Sequence, residues 1–337
     1  MTLVRDILGC RSLAIVGTEK NTGKTECLNY VLRNLPAGNP LTAVTSIGVD
    51  GERVDSLTGG AKPEIALPAG MLFATSEKHY ASRRLTAEVL DVGDDVTALG
   101  RTVTARSLLP GRLMLSGPST TVSLRRWMDA VRRFGAKLVV VDGALSRLSS
   151  ASPTVAEAII LATGAALSSG LDTLIRQTAH TVSLIGLPEA SLSVREAFED
   201  SPAGIMTVDA GGTVQDSGIA SALGTADVTA LVSGAAALYV GGALTDRFAS
   251  AVRASCSGGL ELVVPDFTKV FLSAPVLRSL GDAGVRLTVL KRSRLLAVCV
   301  NPLAPNGYRL DSERLCAGLS AAVDVPVYDI MRCDDVA

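Results

Sequence analysis

A glycine-rich run, Gly17 to Thr25 (GTEKNTGKT), holds residue types that bind phosphate. Its two glycines lack a Cβ atom, so the backbone can bend and approach an anion closely. The amides of such a loop, at the positive end of a following helix, are donors for phosphate oxygens. In that arrangement Lys24 would reach the terminal phosphates and the Thr25 hydroxyl would bind Mg²⁺. The candidate phosphate-binding residues are Gly17, Glu19, Asn21, Thr22, Gly23, Lys24, Thr25 and Glu26.

The apolar pattern predicts the elements that position these residues. Ser12 to Val16 is a short apolar run that predicts a buried strand before the loop. Cys27 to Leu35 carries apolar residues at helical spacing after it. Leu138 to Val141 predicts a second buried strand, which ends at Asp142. Because the carboxyl ends of parallel strands share one edge of a sheet, we expect Asp142 near Thr25, as a catalytic residue that holds a Mg²⁺-bound water or hydrogen-bonds the Thr25 hydroxyl.

A second acidic position follows another predicted strand, Leu41 to Ile47. Asp50 lies just after this strand, in a loop that also contains Glu52 and Asp55. A carboxylate at that edge could bind Mg²⁺ or orient an attacking water, so Asp50 is a candidate metal ligand and catalytic residue. A solvated acidic turn is the alternative, and it is favoured for Glu52 and Asp55.

Other polar residues near the predicted strand ends are candidates for a second substrate. Ser116 to Thr120 precedes a predicted helix and could bind an anion through its free amides. Arg147 could pair with a carboxylate or phosphate. Helix capping by Ser and Thr is an equal alternative. His79 is isolated and is predicted to be a surface histidine.

The second half of the chain predicts further αβ alternation around a polar interruption. We expect a helix over Thr154 to Leu167, a strand over Thr181 to Ile185 and a hairpin around Gly211 and Gly212. The fold class is α/β, with a mostly parallel sheet, helices on both faces, a β-rich insertion and a middle insertion. The predicted divisions are a core half over 1–186 with its β-rich segment at 66–110, a Gly/Ser-rich insertion at 187–230 and a closing α/β half at 231–337.

Composition excludes several classes of protein. The 337 residues are 47% hydrophobic but only 4% aromatic, which argues against disorder and favours small-residue packing of helices on a parallel sheet. The net charge of -1 argues against a general nucleic-acid binder. Apolar runs are interrupted too often for a membrane span or a signal peptide. The six cysteines show no C-x-x-C spacing, which favours a cytoplasmic protein with reduced thiols.

The loop has five residues between its two glycines, and in this spacing it resembles the phosphate loop of dethiobiotin synthetase, within the wider SIMIBI class of P-loop NTPases. The positions that match are Gly17, Thr18, Gly23, Lys24 and Thr25. Glu19 stands where that family has Asp, and also where MinD-type proteins carry their signature lysine. By the same resemblance, Asn301 at the end of the strand LLAVCVN would bind adenine. An Asn that caps a turn before Pro is the alternative. No guanine-binding N-K-x-D is present, so ATP with Mg²⁺ is the expected ligand.

Longer segments, including SIGVDGERVD, VVVDGALSR and VNPLAPNGY, resemble the P-loop reactivase subunit of lysine 5,6-aminomutase and ornithine aminomutase. That resemblance implies an ATPase that works with a MutS-related ATPase to exchange damaged cobalamin in an adenosylcobalamin-dependent aminomutase. The chain has no D-x-H-x-x-G cobalamin motif, so it would not carry cobalamin itself. Two alternatives stay open. One is a small-molecule ligase or kinase similar to dethiobiotin synthetase, and the other is a nucleotide-gated regulatory module without turnover.

Overall fold

The computed structural model describes residues 2–36, 41–47, 64–144, 151–199, 201, 204–224 and 227–332. Its strands, in chain order, are β1 Ser12–Gly17, β2 Thr42–Ser46, β3 Ile65–Leu67, β4 Leu72–Ser76, β5 Ala87–Thr97, β6 Gly100–Ser107, β7 Gly111–Leu113, β8 Leu138–Ala144, β9 Ala158–Gly164, β10 Ile205–Asp209, β11 Val214–Asp216, β12 Ala235–Val240, β13 Leu244–Thr245, β14 Glu261–Val264, β15 Val270–Phe271, β16 Arg286–Val289, β17 Arg294–Asn301 and β18 Val327–Asp329. Its α-helices are α1 Thr2–Leu8, α2 Lys24–Asn34, α3 Glu77–Ala81, α4 Thr121–Arg133, α5 Leu171–Ile185, α6 Leu192–Phe198, α7 Val228–Val232, α8 Asp246–Ser255, α9 Ala274–Asp282 and α10 Ser312–Ala322. None of these helices combines the length and the apolar character that crossing a bilayer requires.

The chain forms two compact units. The first comprises Met1–Ala179 and Arg294–Ala337, and the second comprises His180–Ser293. This division differs from the predicted one, in which the insertion ended at 230 and the residues after it belonged to the first fold. The reason is that β12, β14 and β16 pair with one another in a sheet of their own. Alternation of strands and helices along a sequence does not indicate which sheet the strands join.

Within the described residues, the first unit contains a nine-stranded sheet in the order β18-β17-β9-β1-β8-β2-β4-β6-β5. Pairing is parallel from β18 to β4, and β6 and β5 are added antiparallel. The predicted α/β class with a mostly parallel sheet is therefore confirmed. The predicted β-rich insertion at 66–110 is corrected in part, because β4, β6 and β5 extend the main sheet, while β3 pairs with β7 beside it.

Helices cover both faces of this sheet. Successive residues of a strand point to opposite faces. Leu138 and Val140 of β8 pack in one apolar cluster with the buried side of α2, whereas Val139 and Val141 pack in another with the buried side of α4. Each fully buried side chain of this kind contributes about 1.5–3 kcal/mol relative to exposure. The two clusters hold β8 rigidly between them, with its carboxyl end at the edge of the sheet.

The centre of the sheet contains a strand that the sequence pattern misassigned. Ala158–Gly164, predicted within a helix over Thr154 to Leu167, is strand β9 between β1 and β17. All seven of its residues are buried. A strand covered on both faces is apolar throughout and lacks the alternation that distinguishes a strand from a buried helix. The predicted strand Thr181 to Ile185 is also wrong, because these residues continue α5.

The second unit has a five-stranded sheet, counted over its described residues, in the order β11-β10-β12-β14-β16. The strands β12, β14 and β16 are parallel, and β10 pairs antiparallel with both β11 and β12. The predicted hairpin around Gly211 and Gly212 is confirmed as the β10–β11 turn. Gly212 has a φ of 85°, which the turn requires and glycine adopts without strain. This unit buries a core of its own.

Candidate functional site

The glycine-rich loop joins the central strand β1 to α2 at the carboxyl edge of the sheet. A Cβ atom at Gly17 would lie 2.6 Å from Thr22 Oγ1 and 2.7 Å from Lys24 Cγ, so only glycine fits there. Gly23 has a φ of 94° and Asn21 a φ of 63°, both in the left-handed region that Gly and Asn favour. These backbone angles curl the loop tightly before α2 begins at Lys24.

The start of this loop is hydrogen-bonded, and its second half is open. The Thr18 amide donates to Ala162 O at 2.9 Å, and Thr22 Oγ1 donates to Glu19 O at 2.9 Å. From Asn21 to Thr25, no backbone amide donates to another residue in the described parts of the chain. Gly23 at the N-cap offers no side chain to satisfy them. These amides, at the positive end of an eleven-residue helix, are available to an anion.

Lys24 and Asp142 are electrostatically coupled beside this loop. Asp142 lies on β8, in register with Ile15 of β1. Burial raises the pKa of its carboxyl to about 6, against the opposing effect of Lys24. Burial also lowers the pKa of Lys24, which Asp142 partly counteracts. The Lys24 ammonium donates to Glu19 O at 3.3 Å, so it is folded back onto the loop.

The donor set fits a Mg²⁺ ion that is shared with phosphate. Asp142 Oδ1 is buried and accepts no hydrogen bond from the described residues. Mg²⁺ is typically held by one or two carboxylates together with substrate phosphates, rather than by a cage of protein ligands. The described residues contain no group of three or more His, Cys, Asp or Glu that could hold a metal ion. Thr25 and Asp142 are the candidate ligands here. Asp50, the third predicted ligand, lies outside the described residues with Glu52, Asp55 and Arg147.

Asn301 lies at the carboxyl end of β17, beside the loop. A Cβ atom at Gly23 would lie 2.6 Å from Asn301 Cβ, so the two residues are in close contact. The Asn301 Oδ1 accepts a hydrogen bond from its own chain at Leu303 N, at 3.0 Å. The turn-capping alternative is therefore present in the structure, whereas the adenine contact stays a prediction.

A buried polar cluster lies at the carboxyl end of β4, and the sequence analysis did not predict it. The prediction of a surface location for His79 is wrong, because the residue is 3% exposed. Its Nδ1 lies 2.7 Å from Ser116 Oγ, which also contacts Thr75 Oγ1 and accepts a hydrogen bond from Ser76 N. Sequence spacing carries no signal for the contribution of Ser116, which lies 37 residues from His79.

The predicted second-substrate segment is largely engaged within the protein. Ser116 belongs to the buried cluster, and Gly117 N donates to Ser46 Oγ at 3.2 Å. The Thr120 hydroxyl caps α4 by accepting from Ser123 N at 3.0 Å. The helix-capping alternative is thus observed for Thr120.

The site combines open loop amides, a lysine, and a carboxylate whose Oδ1 is buried without a hydrogen bond from the described residues, all at one sheet edge. Comparisons of the chain with protein-family models, with curated proteins and with solved structures find no match.

Proposed function

We propose that this protein is a Mg²⁺-dependent P-loop nucleoside triphosphatase that binds ATP at the β1–α2 loop. The observation that carries the proposal is Asp142 Oδ1, which is buried beside Lys24 and accepts no hydrogen bond from the described residues. It lies next to a loop whose amides donate no hydrogen bond within the described parts of the chain. A buried carboxylate oxygen without a hydrogen bond costs free energy, which is typical of a functional site rather than of a structural one. An ordinary strand-to-helix turn would not require such a buried carboxylate oxygen.

Each residue has a distinct role in this proposal. The amides from Asn21 to Thr25 hold the phosphate oxygens and fix their orientation. Lys24 leaves the Glu19 carbonyl and neutralises charge on the terminal phosphates. Asp142 and the Thr25 hydroxyl hold the metal, and Asp50 stays the predicted residue for orienting water. Bound Mg²⁺ supplies positive charge that offsets the charge developing on the phosphate oxygens. In hydrolysis, the oxygen of water bonds to the γ-phosphorus while the bond to the bridging oxygen breaks, so ADP and phosphate leave.

Calorimetric titration with Mg²⁺ and a non-hydrolysable ATP analogue tests this proposal. Lys24→Ala should abolish binding, since it removes the cation that neutralises the terminal phosphates. Lys137→Ala is the matched control, because this exposed lysine precedes the amino end of β8, the same strand that carries Asp142 at its other end. Equal affinity in the wild type and the Lys24 variant would reject the nucleotide site.

The sequence resemblance extends the proposal to a partner. We propose that ATP turnover serves the exchange of damaged cofactor in an adenosylcobalamin-dependent aminomutase, together with a MutS-related ATPase. Restored activity of an inactivated aminomutase, after addition of this protein, the partner ATPase, ATP and fresh cofactor, would support this role. ATP binding without restoration would favour the alternatives of a small-molecule ligase or kinase, or of a regulatory module.

A further inference from the structure

Asn301 makes one backbone and one side-chain hydrogen bond at the edge of the sheet. Its backbone oxygen accepts a hydrogen bond from Ala165 N at 2.9 Å. A Cβ atom at Gly164 would lie 2.1 Å from that same oxygen, so β9 and β17 approach very closely here. Its side-chain Oδ1 accepts from Leu303 N. The hydrogen bond from Leu303 N directs Oδ1 towards the protein's own turn.

In this orientation the side chain packs against the phosphate loop. The position of a Cβ atom on Gly23 would be 2.6 Å from Asn301 Cβ, 3.1 Å from its Nδ2 and 3.3 Å from its Cγ. Gly23 is the last residue before α2 and one of the residues whose amides are open. Contact at this point limits how the left-handed turn at Gly23 can relax, and so it limits the directions of the neighbouring amides.

In the same orientation, both polar atoms of the carboxamide lie against the protein's own backbone. Recognition of adenine by a carboxamide uses its donor and its acceptor together. The Leu303 amide takes one of the two lone pairs of Oδ1, which directs this acceptor at the protein's own turn. The donor, Nδ2, lies beside Gly23.

We propose that Asn301 is a positioning residue of the phosphate loop, which holds Gly23 and the loop amides in the geometry that binds polyphosphate. The proposal depends on the proposed function, because it concerns the same site. Its consequence is that loss of the Asn301 carboxamide, whose Cγ and Nδ2 face Gly23, weakens binding of the phosphates themselves, whether or not a base is attached.

Inorganic tripolyphosphate with Mg²⁺ is the probe that separates the two roles, since it carries the phosphates and no base. Affinities of the wild type and Asn301→Ala are measured by calorimetry for tripolyphosphate and for ATP. We expect both to weaken by about tenfold, the lower range of what supporting contacts around a bound group contribute. The ratio of the two affinities should stay unchanged.

Asn306→Ala is the matched control. Asn306 makes the same kind of turn in the same loop, with its Oδ1 accepting from Tyr308 N at 3.1 Å. It should leave both affinities unchanged. Asn301→Ser is the second variant, because a serine hydroxyl can still accept from Leu303 N and preserve the turn while the carboxamide is lost. It should weaken both ligands as Asn301→Ala does, even if the alanine variant folds poorly.

The outcomes are distinguishable. A loss confined to ATP would show that Asn301 reads the base and would overturn the positioning role. Unchanged affinities with a lowered melting temperature would show a purely structural residue and would also overturn it. If the wild type binds neither ligand, the proposed function itself fails.

Discussion

Asp142 should destabilise the protein in the absence of ligand, and its replacement by Asn should relieve this cost. Burial raises the pKa of its carboxyl from 3.8 to about 6. At 1.36 kcal/mol per pKa unit, the charged form costs the folded state about 3 kcal/mol relative to the unfolded state. Asp142→Asn mimics the neutral form with nearly the same shape. The variant should therefore be more stable than the wild type by up to about 3 kcal/mol at neutral pH.

The sign and pH range of this effect follow from linkage. Below about pH 3.8 the carboxyl is protonated in both states and costs nothing. Between about 3.8 and 6 the folded state holds the proton that the unfolded state releases, so wild-type stability falls as pH rises. Above about pH 6 the cost is complete. The advantage of Asp142→Asn should therefore grow from near zero at about pH 4 to its maximum at about pH 7.

Urea denaturation followed by tryptophan fluorescence measures this effect. The chain has one tryptophan, Trp127, which packs in the same apolar cluster as Val141 and therefore reports on unfolding of the first unit. Asp324→Asn, at an exposed position of the same unit, is the control and should change stability by less than about 0.5 kcal/mol. A variant that is no more stable than the wild type at neutral pH would refute the reasoning. We also expect Asp142→Asn to lose the Mg²⁺-dependent part of ATP binding.

Two further predictions concern packing around the site. Gly23→Ala should lower the free energy of unfolding by about 1–2 kcal/mol because of the left-handed backbone at this position. The clash with Asn301 should lower it by a further ~1–3 kcal/mol. Gly70→Ala, with a φ of 82° and nothing within 4 Å of the new methyl group, should show only the backbone cost in thermal unfolding; equal losses at both sites would contradict the close contact. Ser116→Ala should cost about 1–3 kcal/mol in urea denaturation, because it leaves buried partners such as His79 without its hydroxyl. Ser119→Ala, at an exposed position, should be nearly neutral, and a similar value for both serines would argue against the buried cluster.

Features carried by contiguous residues could be predicted from the sequence. The predicted strand Ser12 to Val16 corresponds to β1, and the apolar run before Asp142 corresponds to β8 beside it. Each signal is local, because a short apolar run bounded by glycine or acid needs no knowledge of the rest of the chain. The prediction that Asp142 and the glycine-rich loop lie at one sheet edge followed from one further rule, that parallel strands share a carboxyl edge.

Features that depend on the tertiary partner could not be predicted. Ala158–Gly164 is apolar on both faces, so its pattern fits a buried helix as well as the strand that it forms. The buried His79 contacts Ser116, which lies 37 residues further along the chain. The contact between Gly23 and Asn301 joins opposite ends of the sequence through the order of strands in the sheet. No spacing along the chain encodes such a contact.

The most direct test of the central claim is a crystal structure with Mg²⁺ and a non-hydrolysable ATP analogue. We predict the β-phosphate within hydrogen-bond distance of the amides from Asn21 to Thr25, with Lys24 moved from the Glu19 carbonyl to the phosphates. The metal should lie between Thr25 and Asp142, directly or through one water. A nucleotide bound elsewhere, or a loop that stays closed with Lys24 on Glu19 O, would contradict the account.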